Sequence, residues 1–333
     1  MPTLGQGIIP GGSYGTELSY ITRRAFIPRL IVQIGANCPL SSALLANAQP
    51  AMGGISSVTV PVQGSNMTAL QWTGVDGSFS QPINTQGIWN AEFNLKGAVI
   101  PIPYLGFESL IQQGHDVIPR LDAVMNDAGN VYADSIATTL YNNTTNSQQM
   151  IGLPGAVDDG TNLITYGGLN RNTNTWWKSK RYSTSSAPTR ALVAQYITGL
   201  FKYCGELPNM GVMGPATWQS LQNDFLSVEQ FRVTGDVDFL GTSGAHSAFR
   251  ALSVSGVSIY MDPYCPEGTL MLLNTGYLAL HIHEKASFAF TGFESTLSNF
   301  QVGYIGAVLS LLELVCVKPK TQAVITGFTY VTI

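Results

Sequence analysis

Hydrophobic and polar positions change their period several times along this chain, and each change marks an element. Residues 1 to about 50 are broken by Pro2, Pro10, Pro28, Pro39 and Pro50 and read as an extended arm with short helices at most. From Ala51 to Gly97 the period is two: Val58, Val60 and Val62 alternate with Thr59, Pro61 and Gln63, which puts the valines on one strand face. Pro61 cannot donate to a ladder and marks an edge strand, and Asp76-Gly77 is a hairpin-turn signal. The period then becomes helical. Ile118, Leu121, Met125, Ala128, Tyr132, Ile136 and Leu140 predict one amphipathic helix over 116–142, with Asp116 as N-cap and Pro119 in its first turn. A second helix over 189–204 carries Leu192, Val193, Tyr196, Ile197, Leu200, Phe201 and Cys204 as its apolar stripe and stops at Gly205. Pro215 opens a third, through Trp218 and Leu221. From Ala251 onward strands dominate, with turns at Asp262-Pro263, Pro266-Glu267-Gly268 and Asn274-Thr275-Gly276. Helices and strands do not alternate regularly, so the class is α+β.

Composition adds a constraint that the pattern does not. Only 11% of the 333 residues are charged while 45% are hydrophobic, against about 25% charged in an ordinary soluble domain. Mean hydropathy is +0.14, yet no apolar run reaches the roughly 20 residues that span a bilayer. The longest, Val302 to Val317, contains Glu313. A chain so poor in charge hides much of its surface against copies of itself. The hairpin region makes the same point: between Arg29 and Lys96 there is no basic residue, and a long, nearly uncharged ribbon is unstable alone. The net charge of −4 excludes the electrostatic footprint of a dedicated nucleic-acid binder. The N-terminus shows no charged stretch leading into an apolar run, so no secretory signal is expected. Cys38, Cys204, Cys265 and Cys316 form no C-x-x-C pair, which points to reduced thiols and away from zinc or a disulfide framework.

Candidate chemistry is sparse. Gly5-Gln6-Gly7 meets Pro10 where a dinucleotide fingerprint wants glycine, and Gly241-Thr242-Ser243-Gly244 is one residue short of a nucleophile elbow. His281 and His283 share a strand face, with Leu278, Leu280 and Ile282 opposite, but lack the third ligand a metal needs. Asp158-Asp159-Gly160 has the spacing of a turn rather than of a calcium loop. Lys178, Lys180 and Arg181 beside Trp176 and Trp177 admit a single-strand nucleic-acid surface, but the favoured reading is a pair of packing anchors, Trp176 and Trp177, beside a solvated loop. Arg23, Arg24 and Arg29 are candidates for intersubunit or inner-surface contacts. No catalytic residue, metal site or cofactor site is assigned, and no enzyme is expected.

From about residue 80 onward the chain resembles the major capsid proteins of tailed bacteriophages, which share the Johnson fold. Four segments in order carry the resemblance. They are ADSIATTLYNN (Ala133 to Asn143) followed by IGLPGAV (Ile151 to Val157); YGGLNRNTNTWWKSK (Tyr166 to Lys180); PNMGVMGPATWQSLQ (Pro208 to Gln222); and a tail. The tail comprises DPYCPEGTLMLLNTGYLALHIHEKASF (Asp262 to Phe288) and LELVCVKPKTQAVITG (Leu312 to Gly327). The arm and hairpin agree by position and character only.

The resemblance implies an N-terminal arm over 1–50, an extended β-hairpin loop over 51–97 and a peripheral domain over 98–188 whose spine helix is 116–142. It further implies an axial domain over 189–295 and return strands over 296–333. The implied function is a subunit building pentamers and hexamers of an icosahedral head around double-stranded DNA, located in the virion and assembled in a host bacterial cytoplasm. Its partners would be itself, a portal protein, packaged DNA, and a scaffolding or decoration protein where the system uses one; no membrane is involved. No charged scaffolding helix stands in the arm, so a scaffold is expected either as a separate protein, which the initial Met favours, or as a segment removed by cleavage. Apart from Lys96 at its very end the loop has no lysine, so a lysine cross-link from its body is not expected. An encapsulin-like compartment shell is the alternative within the structural class. A hydrolase using Ser243 and His246 belongs to another class and lacks an acid partner, and a tail or fibre protein would show repeats or a more uniformly β chain.

Overall fold

A computed structural model describes residues 38–51, 56–66, 70, 72–73, 75–77, 86–105, 120–142, 148–226, 251–291, 294–295 and 303–330. In chain order these form α1 (Pro39–Ala46), β1 (Gln49–Ala51), β2 (Ser57–Gln63), β3 (Ile88–Asn94), β4 (Lys96–Leu105), α2 (Arg120–Asn142), α3 (Leu153–Ala156), β5 (Thr165–Tyr166), β6 (Leu169–Asn170) and β7 (Lys180–Ser183). There follow α4 (Arg190–Cys204), β8 (Met210–Met213), α5 (Pro215–Leu226), β9 (Ala251–Val254), β10 (Val257–Met261), β11 (Thr269–Leu273) and β12 (Leu278–His283). The last strands are β13 (Ala289–Phe290), β14 (Glu294–Ser295), β15 (Gly303–Cys316) and β16 (Ala323–Thr326). The mixture is α+β. The predicted N-cap Asp116 and Pro119 lie outside the described residues.

The chain divides into two units: a smaller one whose described residues fall in 99–134 and 288–309, and a larger one from 37–98, 135–287 and 310–333. The larger unit is built on a six-stranded mixed sheet in the order β7-β16-β11-β8-β10-β9. Its central strand β11, Thr269–Leu273, is buried at every position, which is why the sequence there is a continuous apolar run instead of an alternation. Helices α4 and α5 supply Val193, Ile197, Leu200, Trp218 and Leu221 to a core shared with Ile259, Leu270, Leu272 and Ile325. Each such side chain contributes about 1.5–3 kcal/mol when fully buried. Local chemistry sets the limits of α4. Thr189 caps it by accepting the Leu192 N–H at 3.3 Å, and Gly205 ends it with φ of 79°. One residue of the expected stripe does not join the core: Phe201 is 49% exposed. The helical period centres the buried face on Val193, Ile197 and Leu200, which leaves position 201 on its shoulder.

Also in the larger unit, β1 runs parallel to β12, and β12 pairs antiparallel with the C-terminal half of β15 in a register that sets His281 opposite Glu313. A buried carboxyl group ties distant segments together here. Asp262, which the sequence marked only as a turn residue, is fully buried and accepts from the Cys38 thiol (2.8 Å), the Tyr141 hydroxyl (2.9 Å) and the Tyr264 N–H (3.0 Å). The Cys38 sulfur in turn accepts the Ser41 N–H at the start of α1. Burial, with Asp262 beside it, pushes the Cys38 thiol up to about 12, so it stays a hydrogen-bonding group and not a nucleophile. All four cysteines are free thiols.

In the smaller unit, β13 and β14 pair antiparallel with the N-terminal half of β15. Ile102 of β4, Ala128 of α2 and Val308 of β15 form its core. The Tyr132 and Phe288 rings meet edge-on at 5.3 Å. No helix among the described residues is long and apolar enough to cross a membrane.

Candidate functional site

The hairpin of β2 and β3 is a two-stranded sheet paired in full register from Ser57↔Asn94 to Gln63↔Ile88. Its valines are half-buried and Thr59, Pro61 and Gln63 are exposed, as the alternation requires. A ribbon of this kind needs something to dock against, and its base finds it in residues 151–181. Ala91 and Phe93 are buried; the Phe93 ring meets Tyr166 edge-on at 5.0 Å. The Glu92 N–H donates to the Gly167 carbonyl at 3.0 Å. Gly167 sits at φ +58°, and a Cβ there would stand 2.8 Å from the Phe93 ring, so the close approach requires glycine.

The docking loop is held by buried charge. Arg171 and Asp158 are both fully buried and lie 3.7 Å apart. The guanidinium donates to the carbonyls of Gly155 (2.9 Å), Ala156 (2.8 Å), Leu163 (3.0 Å) and Trp177 (3.4 Å). Asp158 accepts three backbone N–H groups, from Gly160, Asn162 and Leu163. The segment YGGLNRNTNTWWKSK is therefore one folded unit in which Gly167, Arg171 and Trp177 serve the same loop. Trp177 is 1% exposed and donates its indole N–H to the Tyr166 carbonyl at 2.9 Å. Trp176 is half-buried, lies 5.0 Å from the Trp89 ring of the hairpin and covers Gly64.

The basic cluster beside these tryptophans is dispersed. Lys180 places its ammonium 5.5 Å from the Tyr182 ring and 5.4 Å from the Tyr203 ring. Arg181 turns to Asp158 at 3.7 Å. His281 and His283 are half-buried on β12, and burial lowers the pKa of His281. No group of three or more metal-ligating side chains occurs among the described residues. Arg23, Arg24, Arg29, Ser243 and His246 lie outside the described residues.

Beyond its base the hairpin presents large apolar groups to solvent: Leu70 is 79% exposed, Trp72 92% and Ile88 51%. Exposed aromatics and aliphatics gathered on one element mark an interaction surface. A feature that sequence reading passed over is Glu313 of β15, 1% exposed, whose Oε1 accepts the Ile151 N–H at 2.9 Å while Oε2 has no hydrogen-bond partner. Burial pushes its carboxyl up to about 7, against the lowering effect of the Ile151 N–H and of Lys96. Its sequence signal was weak: a lone acid within an apolar strand.

No family model matches the chain, and no curated protein matches it. Solved structures do. The chain is similar to that of the cyanophage A-1(L) capsid asymmetric unit, with TM-score 0.69 at 13% identity, covering 93% of this chain and 98% of that one. A chain of the native GTA particle capsid gives TM-score 0.58 at 12% identity, covering 96% of this chain and all of that one, 100%. The holo-SrpI encapsulin complex from Synechococcus elongatus PCC 7942 gives 0.57 at 13% identity, covering 96% and 98%. These likenesses show the fold. It is the Johnson fold of tailed-phage capsids, shared with an encapsulin.

Two outcomes follow from this geometry. Trp177→Ala removes a buried indole and its hydrogen bond; it is expected to lower the unfolding free energy by roughly 3–5 kcal/mol in denaturant titration, with Trp176→Ala costing less. A fully stable Trp177→Ala variant counts against the anchor role. Glu313 sets a pH dependence: its folded pKa lies above the ordinary 4.5, so the native state holds the proton longer than the unfolded state does. Its contribution is present below pH 4.5 and is lost as pH rises to about 7, by up to about 3 kcal/mol. Glu313→Gln is expected to flatten that decline; an unchanged slope from pH 4.5 to 8 denies Glu313 the role.

Proposed function

We propose that this chain is the major capsid protein of a tailed phage, self-assembling as pentamers and hexamers of an icosahedral head that encloses double-stranded DNA. The observation that carries the reading is the fold likeness to capsid chains, which spans nearly the whole of both molecules at TM-score 0.69 for cyanophage A-1(L). The exposed Leu70, Trp72 and Ile88 and the charge content of 11% support it, because both fit a subunit whose surface is covered by its copies. In this reading 1–50 is the N-terminal arm, 51–97 the extended loop, 98–188 with 296–333 the peripheral domain, and 189–295 the axial domain. The work is done by interfaces, and no reaction is assigned. A portal protein, a separate scaffolding protein, a decoration protein and DNA are the further partners the reading brings, and the virion head assembled in host cytoplasm is its location. The likeness to the SrpI encapsulin, with TM-score 0.57, favours a second reading: the shell of a cellular compartment.

Electron microscopy of the purified full-length protein tests the first-order claim. Closed shells are expected, and DNA inside particles from the native source separates a phage head from a cargo compartment. Dispersed monomers at all concentrations exclude both. Deleting Val60 to Ser80 is expected to leave a folded subunit that builds no shells; normal shells from that variant remove the hairpin from the assembly interface. Replacing Arg23, Arg24 and Arg29 together by Gln divides their roles. Failure of shells without any DNA present gives an intersubunit role, normal shells that package less DNA give a phosphate role, and no change leaves a solvated arm.

A further inference from the structure

At the base of the hairpin a cleft opens between Glu92, Asn94, Lys96, Thr165, Gly168 and Glu313. Its floor is acidic and unsatisfied. Glu313 is 1% exposed and its Oε2 accepts no hydrogen bond. A buried acceptor left without a donor costs about 1–3 kcal/mol, more when it is charged. Strand pairing does not cure this, because the backbone ladder leaves the carboxyl free, and Ile151 occupies only Oε1.

The groups facing Glu313 come from every neighbouring element. Lys96 stands at the start of β4 and lines the same cleft, and its charge favours the ionised Glu313 without a hydrogen bond to Oε2. Glu92 of β3 is exposed on the rim, its Oε1 held by the Ser57 hydroxyl at 2.8 Å. His281 of β12 is the register partner of Glu313 and is half-buried. The Tyr166 hydroxyl of β5 is spoken for: it donates to the Leu314 carbonyl and accepts the Cys316 N–H. Two carboxyl groups repel an anion. A metal ion would lack further ligands, as no group of three exists among the described residues. What the cleft lacks is a donor seated on Oε2, which Lys96 does not supply although its charge favours the Glu313 carboxylate.

We propose that this cleft receives a lysine or arginine side chain from a second copy of the chain, seated on the Glu313 carboxylate with Glu92 at the rim. The pairing rests on the shell reading, since it needs self-association. It is continuous with that interface, because the hairpin that frames the cleft also carries the uncovered Ile88 and Trp72. An incoming cation supplies both the missing donor and the charge that makes ionising a buried carboxyl favourable. Seating it therefore releases the proton that Glu313 holds in the free subunit up to about pH 7.

The test is the critical concentration for assembly of the full-length protein, read by light scattering between pH 5.5 and 8.5. In the wild type it is expected to fall about tenfold per pH unit up to pH 7 and then level off. Glu313→Gln is expected to remove the slope, whereas Lys96→Met and His281→Gln keep it. Shells that form with a flat wild-type profile overturn the pairing and leave the shell reading intact. Assembly that strengthens as pH falls also overturns it and assigns a neutral acceptor instead. Loss of the slope in Lys96→Met makes Lys96 the partner within one chain and overturns the second copy's role. A wild type that forms no shells at any pH overturns the shell reading and this pairing with it.

Discussion

Burial of the Arg171 guanidinium is the constraint on which the rest of the hairpin-bearing region depends. A guanidinium taken out of water is costly unless its donors are matched. Here the backbone itself is bent to match them. Carbonyls of Gly155, Ala156, Leu163 and Trp177 converge on one side chain, and Asp158 gathers three N–H groups beside it. That convergence closes the loop from 155 to 177, orients Trp177 into the interior, and sets Tyr166 and Gly167 where β3 lands. Arginine suits this place because its planar fork reaches several acceptors at once, which a lysine ammonium on a flexible stem does not.

With its base docked, the hairpin resolves a physical conflict. Its inner face is buried on the loop, while Leu70, Trp72 and Ile88 stay in solvent. An isolated ribbon of that composition is marginal and sticky. It makes sense in a molecule whose remaining apolar surface is covered by another chain, and the low charge content of the whole sequence says the same. The shell reading joins these two facts through one cause, surface that is hidden only after assembly.

Two buried carboxyl groups show how environment decides role. Asp262 receives a thiol, a phenol and a backbone N–H, and acts as a tie between α1, the end of α2 and the turn after β10. Glu313 receives the Ile151 N–H on Oε1 and nothing on Oε2, and burial drives its pKa up. The same chemical group is a structural knot in one place and an unsatisfied acceptor in the other. The difference lies in how many donors converge on it.

Much of the scaffold was legible before any coordinates. The period of two placed β2, the stop at Gly205 bounded α4, and Pro215 opened α5. These are local matters, decided by side-chain spacing, φ preference and the missing N–H of proline. The four ordered segments pointed to the capsid fold, and the likeness to capsid chains bears that fold out. What the sequence could not determine were contacts closed by distant residues. Asp262 read as a turn because nothing nearby announces Cys38 or Tyr141, 224 and 121 positions away. Phe201 fell on the stripe but outside the core because only packing against the sheet defines the buried arc. Glu313 looked like a stray charge in an apolar strand, and only the register with His281 and the approach of Ile151 made it a buried acid. Spacing along a chain encodes local structure, whereas convergence of donors and acceptors in space exists only once the chain has folded.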